Sequence, residues 1–564
     1  MSVQSLISRI NPLAKFEELG LGQWKHQLAA LFLLGIVFFF SGLGNGKLWD
    51  QDETTYAQVA REMIQTGDWV VPRYDGELLA HKPPLSYWAM ILGSRLFGMN
   101  ELGMRFFSAV SGLACVLVVF VLGRRMFDPQ TGFLAGLILL SSPFFPIVCR
   151  SALMDAHLTL FVTCALWGFW EALRNPPGSL LWILFCGVTT GLAVLVKGPL
   201  GLLLVGSAGF FTLLATRRFR QLPKLHPVAG LSVFLFVASL WYVVITWKTG
   251  WGFLYEFILR ENLDKVFKPT LGHGGPIWYY FPVLLLAFVP WSLFLPTALK
   301  SLWKRSWEEK GFLLSWAVIP FIFFSMLGTK LPHYILPVFP ALALITAQGL
   351  ARSAQDDRNP PGFVRYGLFG LGTILLGTGL VAWVLLPDLA GWRLPLTLLP
   401  LWLGWTIAMR RPSRYRLTQP HLVISMLLFI LLAAHVMVPH LDGFRVVHQA
   451  AGGAALWAEK QTGQGRKPRL FAHRYREPGM LFYSAKHIPE VGDRGLTEAL
   501  DLPGPVLVIA RKKYYEEMPQ ELRARFQVKQ EFEGFCENKG PMTLLLLEAV
   551  DRHRTVMEAD YESR

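Results

Sequence analysis

Again and again the chain returns to runs of apolar residues nearly as long as a bilayer is thick. They begin with Leu28 to Leu43 and end with His421 to Val438. A helix needs about 20 mostly apolar residues to cross the hydrocarbon core, and no backbone other than a helix or a closed barrel is satisfied there. Of the 564 residues, 53% are hydrophobic and only 16% charged. A soluble domain carries roughly 25% charge, so a water-soluble globule is excluded for most of the length.

Basic clusters set the orientation, because Lys and Arg favour the cytoplasmic ends of spans. The clusters are Arg124-Arg125, Arg217-Arg218 with Arg220, Lys304-Arg305, and Arg410-Arg411 with Arg414 and Arg416. With the N-terminus inside, about thirteen spans place every cluster inside. The span expected as the eighth runs from Pro276 to Leu299 without interruption. Leu85 to Phe97 is too short to cross and contains Ser94 and Arg95, which suits an interfacial helix. Residues 44–100 and 250–275 are then outer loops. No small-residue cleavage site ends the first apolar run, so it reads as a retained span.

After Pro439 the composition changes. Charged residues become frequent, and short β-rich runs (Arg469 to Ala472, Val506 to Ile509, Thr543 to Leu547) alternate with polar helical stretches. The expected fold class is therefore an all-α polytopic membrane protein, residues 1–438, followed by a soluble α/β domain, residues 439–564, on the outer side. The net charge of +15 follows from topology rather than from a nucleic-acid surface, since no basic and aromatic face accompanies it. The five cysteines have no metal-ligand spacing and no disulfide framework.

The outer loops hold the chemistry-bearing residues. The first reads Trp49-Asp50-Gln51-Asp52-Glu53-Thr54-Thr55-Tyr56 at a membrane exit and leads into an amphipathic helix. Asp50 with Glu53 can form a capping box, which leaves Asp52 to orient or deprotonate a hydroxyl. The loop closes on His81-Lys82-Pro83-Pro84, where Lys82 can hold a lipid phosphate as a point charge. Arg150 and Asp155 flank the turn between two spans and could form a solvated ion pair. Lys197 ends a span and could simply snorkel to the headgroups. The second outer loop carries Arg260, Glu261, Lys265 and, between glycines, His273. A third feature is Lys330-Leu331-Pro332-His333-Tyr334. Carboxylates and cations thus gather on one side of the bilayer, while mid-span positions are nearly free of them. A transporter or flippase would instead place ionisable or broken-helix sites near the midplane.

These residues also resemble a known family. Asp52-Glu53, Tyr56, Arg61-Glu62-Met63, Gly67-Asp68-Trp69, Pro72 and Lys82-Pro83-Pro84 are similar to the first periplasmic loop of the aminoarabinose (4-amino-4-deoxy-L-arabinose) lipid A transferases. Those enzymes belong to the protein-mannosyltransferase-like GT-C membrane glycosyltransferases. Arg150 with Asp155, Lys197-Gly198-Pro199 and Lys330 to Pro337 add to the likeness. The resemblance implies an inverting transferase in the bacterial inner membrane. It would move a sugar from a polyprenyl (undecaprenyl) phosphate carrier to a periplasmic acceptor, a lipid A phosphate or, as the alternative, a protein or another glycan. By position it matches Asp52 and Asp155 to active-site carboxylates, Lys82 to a carrier-phosphate ligand and Tyr334 to an aromatic residue lining the cavity. Taken with the reading of the loops, the catalytic candidates are Asp52, Glu53 and Asp155, and the substrate-binding candidates are Tyr56, Lys82, Arg150, Lys197, Arg260, Lys265, Lys330, His333 and Tyr334. Thr55 stands where aminoarabinose members often have Arg, and His81 where they tend to have Glu. The sugar, the acceptor and a divalent metal, with Glu261 and His273 as weak candidate ligands, stay open.

Overall fold

Long helices dominate because the apolar runs leave the backbone no other way to satisfy its polar groups in lipid. The computed structural model describes residues 24–264, 274–356, 360–410, 415–536 and 539–550. Lys265 and His273 lie outside that set. Among the described residues, nine helices are long and apolar enough to cross a membrane, from Glu101–Met126 to Gln419–Asp442. Two shorter apolar helices, Trp24–Phe40 and Pro129–Ser141, stand at expected span positions. Helix Arg393–Arg410 matches the apolar run Leu394 to Met409, expected as the twelfth span. Leu85–Phe97 is a separate 13-residue helix, as its length and polar interruptions suggest.

The eighth span differs from expectation. In place of one straight helix there are two, Tyr280–Ala287 and Trp291–Leu302, bent by 106°. Pro290 lies between them. It has no N–H to continue the ladder, and its ring clashes with the preceding turn.

The chain forms two compact units. The first comprises residues 1–45, 67–72 and 78–437 and holds the apolar helices. Asn100 caps Glu101–Met126 by accepting the Gly103 N–H at 2.9 Å, and Asp128 does the same for Pro129–Ser141 through Thr131 at 2.9 Å. Arg125 pairs with Glu171 at 2.6 Å, and Arg218 reaches both Glu308 and the Leu173 carbonyl. The ends bearing the Arg124-Arg125 and Arg217-Arg218 clusters therefore lie together, with the C-terminal end of helix Asp155–Arg174.

The second unit comprises residues 46–66, 73–77 and 438–564. Its sheet has the strand order Glu490–Val491, Arg469–His473, Val506–Arg511, Gly540–Ala549, Phe526–Cys536. The first three strands are parallel, and the last two join antiparallel. Side chains alternate across the sheet. Leu507, Ile509, Leu544 and Leu546 face a core with helix Val446–Gly463. Val506, Val508, Ala510, Leu545 and Leu547 face the other, with Leu496 and Leu522. The first outer loop is therefore not one piece. Helix Asp52–Thr66, in which Ala57, Val59, Ala60 and Met63 are buried, belongs to this unit, and Arg61 donates to the Phe482 carbonyl and stacks on its ring.

Candidate functional site

Helix Asp155–Arg174 begins with its own acidic residue, a favourable place for a carboxylate against the helix dipole. Helix Ser179–Lys197 ends with its basic residue, equally favourable, and Gly198 turns the chain into helix Pro199–Thr216. Gly198 has φ +70, and an added Cβ would sit 2.6 Å from the Phe257 ring. Only glycine suits that position. These antiparallel helices bring Lys197 Nζ to 2.7 Å from Asp155 Oδ1. The two side chains are only 10% and 4% exposed, so this is a buried ion pair. Lys197 is therefore not a snorkelling residue, and Asp155 is not solvated. Arg150 does not pair with Asp155 either. It donates to the carbonyls of Phe38 and Ser41, each at 2.7 Å, and so ties down the C-terminal end of the first described helix.

His333 Nε2 lies 3.8 Å from Asp155 Oδ2. Lys197 Nζ sits 4.5 Å from the centre of the Tyr334 ring, a cation–π contact. Lys82 is close enough to act on the same carboxylate. The residues His333 and Tyr334 come from the turn Pro332–Val338. Tyr280 holds that turn: its hydroxyl donates to the Leu331 carbonyl at 2.9 Å and accepts the Leu331 N–H at 3.2 Å. Sequence reasoning missed Tyr280, since nothing local distinguishes it from the neighbouring aromatics. Lys330 is buried, and its ammonium donates to the Leu327 carbonyl.

Around the second outer loop, His81 Nε2 stands 3.3 Å from Glu261 Oε1. Both line an open cleft of about 550 Å³ with Trp251, Phe253, Tyr255 and Glu256. Arg260 is exposed and paired with Glu256 at 3.3 Å. Among the described residues, no three His, Cys, Asp or Glu side chains gather to hold a metal ion.

Asp52 opens helix Asp52–Thr66 in the second unit, and Tyr56 lies one turn on. The Glu53 carboxylate is buried and accepts the Trp49 N–H at 2.8 Å. This differs from the expected capping box, in which Glu53 would accept the N–H of Asp50 itself. Asp50 fills a different place, with a carboxylate oxygen against Gly479, where a Cβ would come within 2.2 Å.

The first-unit cluster sets one carboxylate among two lysines and a histidine at the ends of membrane helices. Its surplus of positive charge suits a phosphate. Because Lys197 neutralises Asp155, that carboxylate is better placed to hold Lys197 than to take a proton.

The family model for dolichyl-phosphate-mannose-protein mannosyltransferases matches residues 81–243, which include Lys82, Arg150, Asp155 and Lys197. An undecaprenyl phosphate-α-4-amino-4-deoxy-L-arabinose arabinosyl transferase of Edwardsiella ictaluri is 34% identical over 370 residues. The match spans 65% of this chain and 65% of that relative. An uncharacterised protein of Aquifex aeolicus is 28% identical over 494 residues, 85% of this chain and 90% of its own. Among solved structures, that of ArnT from Cupriavidus metallidurans bound to undecaprenyl phosphate superposes with a TM-score of 0.76. It is 21% identical and covers 92% of this chain and 97% of its own. The chain therefore has that fold, a multi-pass membrane bundle with a smaller α/β region.

Proposed function

Because the chain is related to the aminoarabinose transferases and carries the fold of the protein-mannosyltransferase-like membrane glycosyltransferases, we propose that it transfers a sugar from an undecaprenyl phosphate carrier to a periplasmic acceptor, a lipid A phosphate. The observation that carries the reading is the Asp155–Lys197 pair with His333, Tyr334 and Lys82 around it. It lies at the opposite end of helix Asp155–Arg174 from the basic span ends. Twenty helical residues separate the two ends by about 30 Å, the thickness of the hydrocarbon core. If the basic ends are cytoplasmic, the cluster faces the periplasm.

In this reading Lys82 and Lys197 receive the carrier phosphate and stabilise the charge that grows on it as the sugar departs. Asp155 keeps Lys197 in place, and Tyr334 supports the same ammonium. Arg260 and Lys265 assist from the second outer loop. Asp52 orients the acceptor, with Glu53 fixing the start of its helix. An acceptor that is already a phosphate needs little base strength, so Asp52 acts mainly by position. Transfer proceeds by direct displacement, with the acceptor oxygen bonding to the anomeric carbon as the bond to the carrier phosphate breaks. Configuration inverts. A second reading, transfer to a protein or another glycan, rests on the departures at Thr55 and His81.

Mass spectra of lipid A from cells with and without the gene product test the acceptor. An added aminopentose is expected with the wild-type chain and a loss of at least 100-fold with Asp52→Asn. Unmodified lipid A beside a newly glycosylated protein or glycan would support the second reading. Full modification by a folded Asp52→Asn protein would remove the role given to Asp52.

A further inference from the structure

The second unit holds a cleft that the transfer chemistry leaves unused. It has a volume of about 450 Å³ and lies where the end of helix Val446–Gly463 meets the start of strand Arg469–His473. Its walls carry four permanent cations, Arg466, Lys467, Arg469 and Lys486, together with His487. No carboxylate is among the lining residues. Leu470, Phe471 and Pro468 supply an apolar floor.

The hydrogen bonding leaves much of this charge unanswered. Arg469 gives Nη2 to the Leu502 carbonyl at 2.6 Å, while its Nε and Nη1 are shut away from solvent and have no acceptor among the described residues. Buried donors without acceptors carry a full desolvation cost. Burial also lowers the Arg469 pKa from its ordinary value. Arg466 reaches the amide oxygen of Gln461 at 3.1 Å, which is neutral. His487 is fixed by Asp75, with Nδ1 2.5 Å from Oδ1, while Arg476 engages the other oxygen of the same carboxylate. Like charges held around one concavity repel each other, and an anion between them relieves that repulsion.

We propose that this cleft binds a phosphate-bearing group, a phosphomonoester or phosphodiester whose body lies on the Leu470–Phe471 floor. Arg466 offers forked donors, and Arg469 and the two lysines add positive charge, a combination that suits phosphate oxygens. The volume fits one phosphorylated monosaccharide or one lipid headgroup. The inference is independent of the transferase reading, because it uses none of the residues assigned there.

The experiment measures binding to the full chain in neutral detergent by calorimetry, at two salt concentrations. Three probes are used: inorganic phosphate, glucosamine 1-phosphate, and vesicles of phosphatidylcholine with and without phosphatidylglycerol, the last with the chain reconstituted in nanodiscs. Saturable binding that weakens with salt is expected, and the double variant Lys467→Gln, Lys486→Gln should weaken it at least tenfold. Both lysines are exposed, so the fold should persist, and unchanged melting of the variant checks this. Arg494→Gln, outside the cleft lining and 95% exposed, should bind as the wild type does. Binding of the soluble probes alone identifies a soluble phosphate, and binding of the anionic vesicles alone identifies a headgroup. Either outcome supports the site. Absence of saturable binding for all three probes would overturn it, as would equal binding by the double variant.

Discussion

The Asp155–Lys197 pair shows how a single buried contact can be both costly and indispensable. Each charge gives up water, and their attraction repays that only while both are present. Removing one partner from such a pair costs roughly 3–5 kcal/mol, whereas replacing both is far milder. In detergent melting curves, Asp155→Asn and Lys197→Met should each lower the transition more than the double variant does. Additive losses would show that the two groups are not coupled. A second residue-scale prediction concerns the tail. His473 is fully buried, and its Nε2 lies 2.7 Å from Asp493 while Nδ1 has no hydrogen-bond partner among the described residues. Burial outweighs the favourable pull of Asp493 and lowers the His473 pKa below the ordinary imidazole value. A proton on Nδ1 would be a buried donor without an acceptor. Since the folded pKa is the lower one, this contribution to stability is complete above about pH 6.5 and is lost as pH falls toward the folded value. Protection factors for hydrogen exchange in strand Arg469–His473, referenced to the intrinsic rate at each pH, should therefore fall below about pH 6.5. His473→Gln should flatten that dependence, and an acid response unchanged in His473→Gln would assign it to another group.

At the scale of elements, close approach decides which substitutions the fold accepts. Helices Leu85–Phe97 and Glu101–Met126 pack through glycine, and a Cβ at Gly93 would stand 2.1 Å from the Gly103 carbonyl oxygen. Gly452, in helix Val446–Gly463, has nothing within 4 Å of its added Cβ. Gly93→Ala should lower the melting temperature. Gly452→Ala should raise stability by roughly 0.5–1 kcal/mol through helix propensity. The same sign for both would contradict the packing seen here. Element boundaries were legible in the sequence where length and composition decide them: the helix at Leu85–Phe97, the spans that begin at Glu101 and Asp155, and the β-rich tail. The break at Pro290 was written in the sequence too, inside an apolar run whose continuity masked it. Pairings that cross sequence distance were not legible. Lys197 and Asp155 are 42 residues apart, and nothing in either neighbourhood names the other. Arg150 looked like a partner for Asp155 because it is near in sequence, yet its donors go to carbonyls more than 100 residues away. The amphipathic pattern of Asp52–Thr66 foretold a buried face but not that this face belongs with the α/β unit.

For the whole molecule, the apolar runs impose a helical architecture, and the 20 residues of helix Asp155–Arg174 set the ionic cluster and the basic ends about 30 Å apart, close to the thickness of the hydrocarbon core. Under the proposed function, a carrier whose tail lies in the membrane and whose phosphate rests at the surface would meet Lys82 and Lys197 at that depth. The most direct measurement supplies the purified chain in detergent with undecaprenyl phosphate carrying a radiolabelled aminopentose, together with lipid A. No membrane gradient exists under these conditions. Transfer of label to lipid A, with release of undecaprenyl phosphate, is the result expected. A folded protein that binds the labelled carrier yet releases no undecaprenyl phosphate, with lipid A or any other glycan or protein acceptor offered, would contradict the account.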